Sequence, residues 1–169
     1  MPPWAALAFS QLAGAVSRLG DRQRAMDLGK QGLLKQQEAG SGPGMALALV
    51  YLGDIALDWG DYAEAHIRYR EGLAQMWQTG DRWHLLHALA GFSIMKAQVG
   101  PAEAAARLFG AQAAARAATG HQIPPRYRDS FDAAVVKLRA TLGEEAFSTS
   151  WTEGMALELE EAVAEALES

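Results

Sequence analysis

Apolar residues recur at spacings of three and four along most of the chain, which is the periodicity of an α-helix with one buried face. The pattern is clearest near the middle. There, Leu49 and Leu52 share one helical face, and Tyr69 and Leu73 share another. It predicts an all-α fold with helices at about 4–19, 22–38, 45–59, 62–79, 82–99 and 102–119.

Glycine marks the boundaries between these helices. It stands at every twentieth position, at Gly20, Gly40, Gly60, Gly80, Gly100 and Gly120. A helix commonly ends at a residue in the left-handed conformation, which glycine adopts without the steric penalty of a Cβ. Two helices per unit predict 40-residue helix–turn–helix repeats at about 4–39, 45–79 and 82–119. A repeat of this length is typical of a helical solenoid.

The residues after three of the glycines predict how the second helix of each repeat begins. Asp21 and Asp61 follow Gly20 and Gly60, and each is expected to cap a helix by accepting from its free N–H groups. At the matching position of the third repeat stands Pro101, whose fixed backbone angle suits the start of a helix.

The last part of the chain, 125–169, is predicted to form a terminal hairpin and a capping helix. Phe131, Val135 and Leu138 make an apolar stripe, and Gly143 ends it. The glutamates beyond it supply the polar outer face that the end of a repeat array needs. We therefore expect residues 1–169 to form one domain.

Composition narrows the classes of function. The chain of 169 residues has no cysteine, which removes disulfides and zinc–sulfur sites. No apolar run approaches the roughly 20 residues of a membrane span, so a cytoplasmic setting without membrane contact is expected. Residues 1–120 hold eleven Lys and Arg against ten Asp and Glu, and from Glu144 onward there are eight glutamates and no basic residue. Without a basic stripe, direct nucleic-acid binding is not expected. The acidic end is either a docking surface for a basic partner or, more often, a solvated helix face.

No catalytic site is visible in the sequence, and no cofactor or metal is expected. His84 and His87 have one possible metal-ligand spacing, but no third ligand lies nearby. The glycine-rich segment 40–44 follows a helix and lacks the Gly-Lys-Ser/Thr ending of a phosphate loop, so it is interpreted as a connector. The prediction is a protein that is not an enzyme.

The middle repeat resembles the tetratricopeptide repeat, in which large and small residues alternate at fixed offsets over two antiparallel helices. The matching residues are Leu49, Leu52, Gly53, Ala56, Ala65, Tyr69 and Gly72. The resemblance implies a right-handed superhelix of hairpins. The period here is 40 rather than the 34 of the family. Longer repeats of this kind resemble the arrays of bacterial ATP-dependent transcription activators of the MalT and LuxR-related type.

The end of the chain is similar to a segment near the C-terminus of multidomain bacterial regulators that join a nucleotide-hydrolysing module to such an array. The similar stretches are 104–111, 120–125, 142–147, 151–154 and 159–163. The resemblance implies the scaffold or sensor part of a larger regulator. It implies neither ATPase nor DNA-binding activity in this chain, because the motifs for both are missing.

The predicted function is therefore a non-catalytic scaffold that presents a groove to a protein or peptide, or to other domains of the same regulator. Projection of the repeat offsets gives the groove-lining residues Ser10, Arg18, Leu47, Val50, Asp54, Leu57, Asp58, His87, Ala90, Ile94 and Gln98. A segment with apolar anchors suits Leu47, Val50, Leu57 and Ile94. A basic group on that segment suits Asp54 and Asp58. The alternative is a domain whose concave surface binds a small-molecule effector.

The first helix supports a further prediction about self-association. Trp4, Leu7, Phe9, Leu12 and Val16 make it apolar over much of its circumference. Large exposed apolar patches favour association. We therefore expect that this helix packs against an earlier repeat in a longer array, and that otherwise a second copy of the chain covers it, as a homodimer through the N-terminal helix, or it is left partly exposed.

Overall fold

The computed structural model describes the backbone of residues 3–168 and the side chains of residues 7–168. Within these ranges the chain is all-helical, with 86% of residues in helices and no strand. The predicted all-α class is confirmed. The described helices are α1 (Pro3–Arg18), α2 (Arg22–Glu38), α3 (Gly42–Asp58), α4 (Tyr62–Thr79), α5 (Arg82–Val99), α6 (Ala102–Thr119), α7 (Arg128–Leu142), α8 (Glu144–Met155) and α9 (Leu159–Glu168).

The helix boundaries follow the sequence pattern closely. Helices α2, α4, α5 and α6 begin and end where the periodicity predicts. Helix α3 begins at Gly42 rather than near residue 45, because the Ser41 hydroxyl accepts a hydrogen bond from the backbone N–H of Gly44 at 3.2 Å. Pro43 lies in the first turn of α3, where its missing N–H costs nothing.

The expected caps are present in the first two repeats. Asp21 accepts from the N–H of Arg24 at 3.0 Å, and Asp61 accepts from the N–H of Glu64 at 3.3 Å. The turn glycines with positive φ are Gly20, Gly40, Gly60, Gly80 and Gly120. Gly100 differs and does not have a positive φ. It precedes Pro101, and a residue before proline is biased toward extended backbone, so the turn between α5 and α6 forms without a left-handed glycine.

The chain divides into two compact units, Met1–Ala88 and Leu89–Ser169. The boundary falls within α5, and each unit is described by itself below. The expectation of one domain over 1–169 stays a prediction.

In the first unit, helices that follow one another in the chain pack together. Helix α1 packs on α2, α2 on α3 and α3 on α4, and α1 also contacts α3. Ala13, Ala25 and Ile55 form a buried cluster where α1, α2 and α3 meet. Helices α3 and α4 pack closely at Gly53, where an added Cβ would lie only 3.1 Å from the Tyr69 ring. Small and large residues alternate there as the sequence predicts.

The second unit is organised around α6, which contacts α7, α8 and α9. Its crossing with α8 brings two backbones together. A Cβ at Gly154 would overlap the carbonyl oxygen of Arg107, and one at Gly110 would overlap the carbonyl oxygen of Trp151. On the α7 side, the rings of Phe109 and Phe131 meet with centroids 4.5 Å apart. An aromatic contact therefore holds α7 against α6, and close backbone approach at two glycines holds α8 against it.

The terminal segment forms the helices that the sequence predicts, with a short 3-10 turn at Pro125–Tyr127 ahead of α7. Phe131 and Leu138 of the predicted stripe are buried, and Val135 is half-buried. Among the described helices, none is long and apolar enough to cross a membrane.

Candidate functional site

The predicted groove residues differ widely in exposure. Those from Ser10 to His87 belong to the first unit, and the other three belong to the second. The buried members are Ser10, Val50, Asp54, Ala90 and Ile94. The half-buried members are Leu47, Leu57 and His87, and the exposed members are Arg18, Asp58 and Gln98. The buried side chains have little surface to offer a partner, so the groove prediction now depends on the half-buried and exposed ones.

Asp54 is the clearest difference from the expected arrangement. Its side chain is buried, and Oδ1 accepts a hydrogen bond of 2.6 Å from the hydroxyl of Tyr69, which is itself fully buried. Asp54 lies on α3 and Tyr69 on α4, so the bond ties the two helices of one hairpin. A buried carboxylate needs such partners because its desolvation is costly. Asp54, which was predicted to line the groove and to suit a basic group, therefore makes a structural contact within the hairpin.

Asp58 lies one turn further along α3 and remains exposed. Leu47 and Leu57 are half-buried on the same helix, and so is Tyr51, which the sequence analysis did not include. Tyr51 follows Leu47 by four residues and precedes Asp58 by seven, so helical spacing places the three on one face. That spacing was the signal that could have found Tyr51. Leu57 precedes Asp58 and lies at the edge of this face, about 80–120° around the helix from the other three. We call Leu47, Tyr51, Leu57 and Asp58 together the α3 face.

Polar contacts fix the ends of neighbouring hairpins in the first unit. The indole N–H of Trp59 donates to the hydroxyl of Ser17 at 3.1 Å. Arg22 donates to the carboxylate of Asp61 at 2.7 Å, with both side chains partly exposed. These contacts join residues around the first inter-helix turn to residues around the third. They hold the C-terminal end of α3, and with it Asp58, at a defined place in the unit.

Trp59 itself is 39% exposed, and Arg18 next to Ser17 is exposed. The end of α3 therefore presents an indole surface close in sequence to the acidic side chain of Asp58. Tryptophan and arginine are enriched among residues that dominate binding energy at protein interfaces.

The second unit holds a chain of buried polar groups. The amide nitrogen of Gln112 donates to the hydroxyl of Ser93, which donates to the carbonyl of Leu89 at 2.7 Å. Arg116 donates to the carbonyl of Gln122 at 2.9 Å. Desolvation lowers the pKa of the Arg116 guanidinium, and Tyr127 opposes that shift. These hydrogen bonds anchor the segment after α6, so we assign the buried polar groups a structural role.

Gln98, the exposed groove residue of the second unit, accepts a hydrogen bond of 2.8 Å from the ammonium of Lys137. Its amide therefore joins α5 to α7. Ala90 and Ile94, the other two predicted groove residues of this unit, are buried.

Two of the concave regions of the described chain lie in the second unit. A cavity of about 390 Å³ is lined by Lys96, Ala104, Arg107, Leu108, Glu165, Ala166 and Glu168. A more open depression of about 700 Å³ is lined by Glu103, Arg107, Leu142, Gly143, Glu144, Glu145, Ala146, Thr149, Ser150 and Glu153. Arg107 lines both. No predicted groove residue lines either one, and the sequence analysis did not identify Arg107 or Lys96.

The candidate metal ligands have other contacts. His84 Nδ1 lies 2.7 Å from a carboxylate oxygen of Asp81, the residue before α5, and His87 is half-buried. In the part of the chain that the structure describes, no group of three or more His, Cys, Asp and Glu is placed to hold a metal ion.

Comparison with protein-family models, with curated proteins and with solved structures finds no match to this chain.

Proposed function

We propose that this chain is a non-catalytic interaction scaffold that binds a protein segment on the α3 face. The observation that carries the proposal is the packing of the first unit, in which α3 contacts α4 and both helices of the preceding hairpin. Repeat arrays with successive hairpins stacked in this way form extended concave surfaces from equivalent helices. The tetratricopeptide-like superhelix is part of the same proposal, as is a place within a larger bacterial signalling or transcriptional regulator.

The chemistry of the α3 face indicates the kind of segment that fits it. Leu47 and Leu57 leave part of their apolar surface in contact with solvent, and Asp58 provides one exposed carboxylate. An amphipathic segment with apolar anchors and one Lys or Arg complements such a face. The apolar contacts provide affinity, and the charge pair fixes the register.

The burial of Asp54 changes how the proposal is tested. Replacing Asp54 by Lys would exchange a buried, hydrogen-bonded carboxylate for an ammonium and remove the acceptor of the Tyr69 hydroxyl, so a loss of binding would not distinguish a lost contact from misfolding. Asp58 is the suitable position because its side chain is exposed. Asp27, an exposed acid on α2, provides a matched control with the same change of charge.

The experiment is a peptide-display selection on the full chain, followed by calorimetric titration of a selected peptide. We expect selected sequences to combine apolar residues with a Lys or Arg. Asp58→Lys should weaken binding by about tenfold or more, and Asp27→Lys should leave it unchanged. If both variants stay folded and bind the peptide like the parent, the α3 face is not the binding surface.

A second candidate function, binding of a small effector, is favoured by the 390 Å³ cavity of the second unit. Ligand sites are typically concave, about 300–1,000 Å³ in volume, and contain a few convergent polar groups. This cavity has those features, and none of the predicted groove residues lines it. An effector site there is compatible with peptide binding on the α3 face.

A further inference from the structure

The cavity of about 390 Å³ in the second unit is formed by three helices. Lys96 comes from α5, Arg107 from α6, and Glu165 and Glu168 from α9. Between these charged groups the wall is apolar, made by Ala104, Leu108 and Ala166. The cavity therefore combines two cations, two carboxylates and an apolar wall within a volume suited to a small molecule.

Arg107 retains capacity to bind an anion. Among the described residues its ion pairs are long, at 3.9 Å from Nη1 to Glu153 and 3.7 Å from Nε to Glu165. Charge-assisted hydrogen bonds of a guanidinium are about 2.7–2.9 Å long and are often bidentate. A carboxylate that enters the cavity can therefore form a shorter, planar pair with Arg107 than the glutamates form now.

Lys96 adds a second cation to the wall of the cavity. Its side chain is only 8% exposed, and its ammonium lies 5.9 Å from the centre of the Phe92 ring. A lysine on the wall of a partly enclosed cavity interacts with an anion more strongly than a solvated one, because water screens the charge less. Lys96 and Arg107 together favour a carboxylate.

Glu165 and Glu168 occupy the side of the cavity contributed by α9. They are three residues apart on one helix, so both carboxylates lie on the same face. Such a pair suits an ammonium group, which can donate three hydrogen bonds. Because Nε of Arg107 lies 3.7 Å from a carboxylate oxygen of Glu165, cationic and anionic groups are neighbours in this cavity, and a molecule with adjacent charges of both signs complements them.

We propose that this cavity binds a free α-amino acid with an apolar side chain. Its carboxylate pairs with Arg107 and Lys96, and its ammonium pairs with Glu165 and Glu168. The side chain packs against Ala104, Leu108 and Ala166. This inference names a ligand class for the second candidate function, and because the α3 face is tested with a peptide, the failure of one proposal is distinguishable from the failure of the other.

The test is calorimetric titration of the full chain with L-leucine, 4-methylpentanoic acid and 3-methylbutylamine. The acid lacks the ammonium group and the amine lacks the carboxylate. Leucine should bind at least about tenfold more tightly than either. Arg107→Gln should abolish the preference of leucine over the amine. Glu165→Gln combined with Glu168→Gln should abolish its preference over the acid.

Arg139→Gln is the matched control, because Arg139 is an exposed arginine of the same unit and does not line the cavity. It should bind leucine like the parent. Circular dichroism establishes that each variant keeps its helical content. The proposal is overturned if the parent shows no saturable binding of leucine up to about 10 mM. It is also overturned if folded Arg107→Gln keeps the parent's preference.

Discussion

The two units are both helical, but different contacts hold them together. In the first, each helix packs on the next in the chain, and side chains such as Tyr69 fill the space beside small residues. In the second, α6 contacts three later helices, and its crossing with α8 brings backbone against backbone at Gly110 and Gly154. The comparison teaches that a regular repeat pattern describes local stacking well and describes long-range crossings poorly.

The largest expected effect comes from the glycine crossing of the second unit. A Cβ at Gly154 would overlap the Arg107 carbonyl, and backbone cannot move aside as a flexible side chain can. Gly154→Ala should lower the free energy of unfolding by about 3 kcal/mol or more, measured by urea denaturation.

Gly14→Ala in the first unit is the matched control, because the nearest atom to its new Cβ is the Arg18 Nη1 at 3.6 Å. It should be neutral or stabilise by up to about 1 kcal/mol, the ordinary gain of alanine over glycine inside a helix. If the two substitutions change the free energy of unfolding equally, the close backbone contact at Gly154 does not distinguish the second unit from the first.

A smaller effect is expected at the buried polar contact of the first unit. Tyr69→Phe removes the hydroxyl that donates to Asp54 while leaving the ring in the seam. We expect a loss of about 2 kcal/mol in the free energy of unfolding, the usual scale for a hydrogen bond to a charged group.

Tyr62→Phe makes the same chemical change at a half-buried site on α4 and should alter stability little. If Tyr69→Phe lowers the free energy of unfolding as little as Tyr62→Phe does, the hydrogen bond to Asp54 does not stabilise the hairpin.

The smallest effect concerns the helix caps, which also differ between the units. Asp21 caps α2 through its side chain, whereas Pro101 precedes α6 without a side-chain acceptor. Asp21→Ala should cost about 1 kcal/mol, and guanidinium denaturation can measure it. Asp27→Ala removes the same charge within α2 and should cost less, because alanine is the better residue inside a helix. The reverse order would show that charge, and not capping, is what Asp21 contributes.

Most of the fold could be predicted from the sequence because helical periodicity and turn glycines are local signals. Asp21 and Asp61 cap helices as expected, and Ala25, Ala65 and Ala105 are buried at equivalent positions. Gly100 was the exception, since Pro101 changes the preferred backbone of the residue before it.

The candidate site was harder to predict because exposure depends on contacts between helices. Asp54 and Asp58 lie one turn apart on α3 and were both predicted to line the groove, yet Asp54 is buried and accepts a hydrogen bond from the Tyr69 hydroxyl of α4. The cavity was not predicted either. Lys96, Arg107 and Glu165 come from three helices, and no spacing along the chain shows that they meet.

The predicted self-association through α1 depends on residues that differ in how exposed they are. Val16 packs against the buried cluster of Ala13, Ala25 and Ile55, whereas Leu12 is 50% exposed. The side chain of Trp4 lies outside the described residues. Homodimer formation through this helix stays a prediction, and sedimentation of the parent beside Leu12→Glu tests it on a residue whose exposure is known.

The most direct test of the interaction scaffold is a charge exchange across the α3 face. The basic residue of a display-selected peptide is changed to Glu, and both peptides are titrated against the parent and against Asp58→Lys. We expect each exchange alone to weaken binding by about tenfold and the two together to restore most of the affinity, because only a direct pair couples in this way. Additive losses, with no recovery in the doubly exchanged pair, would contradict contact between Asp58 and the bound segment.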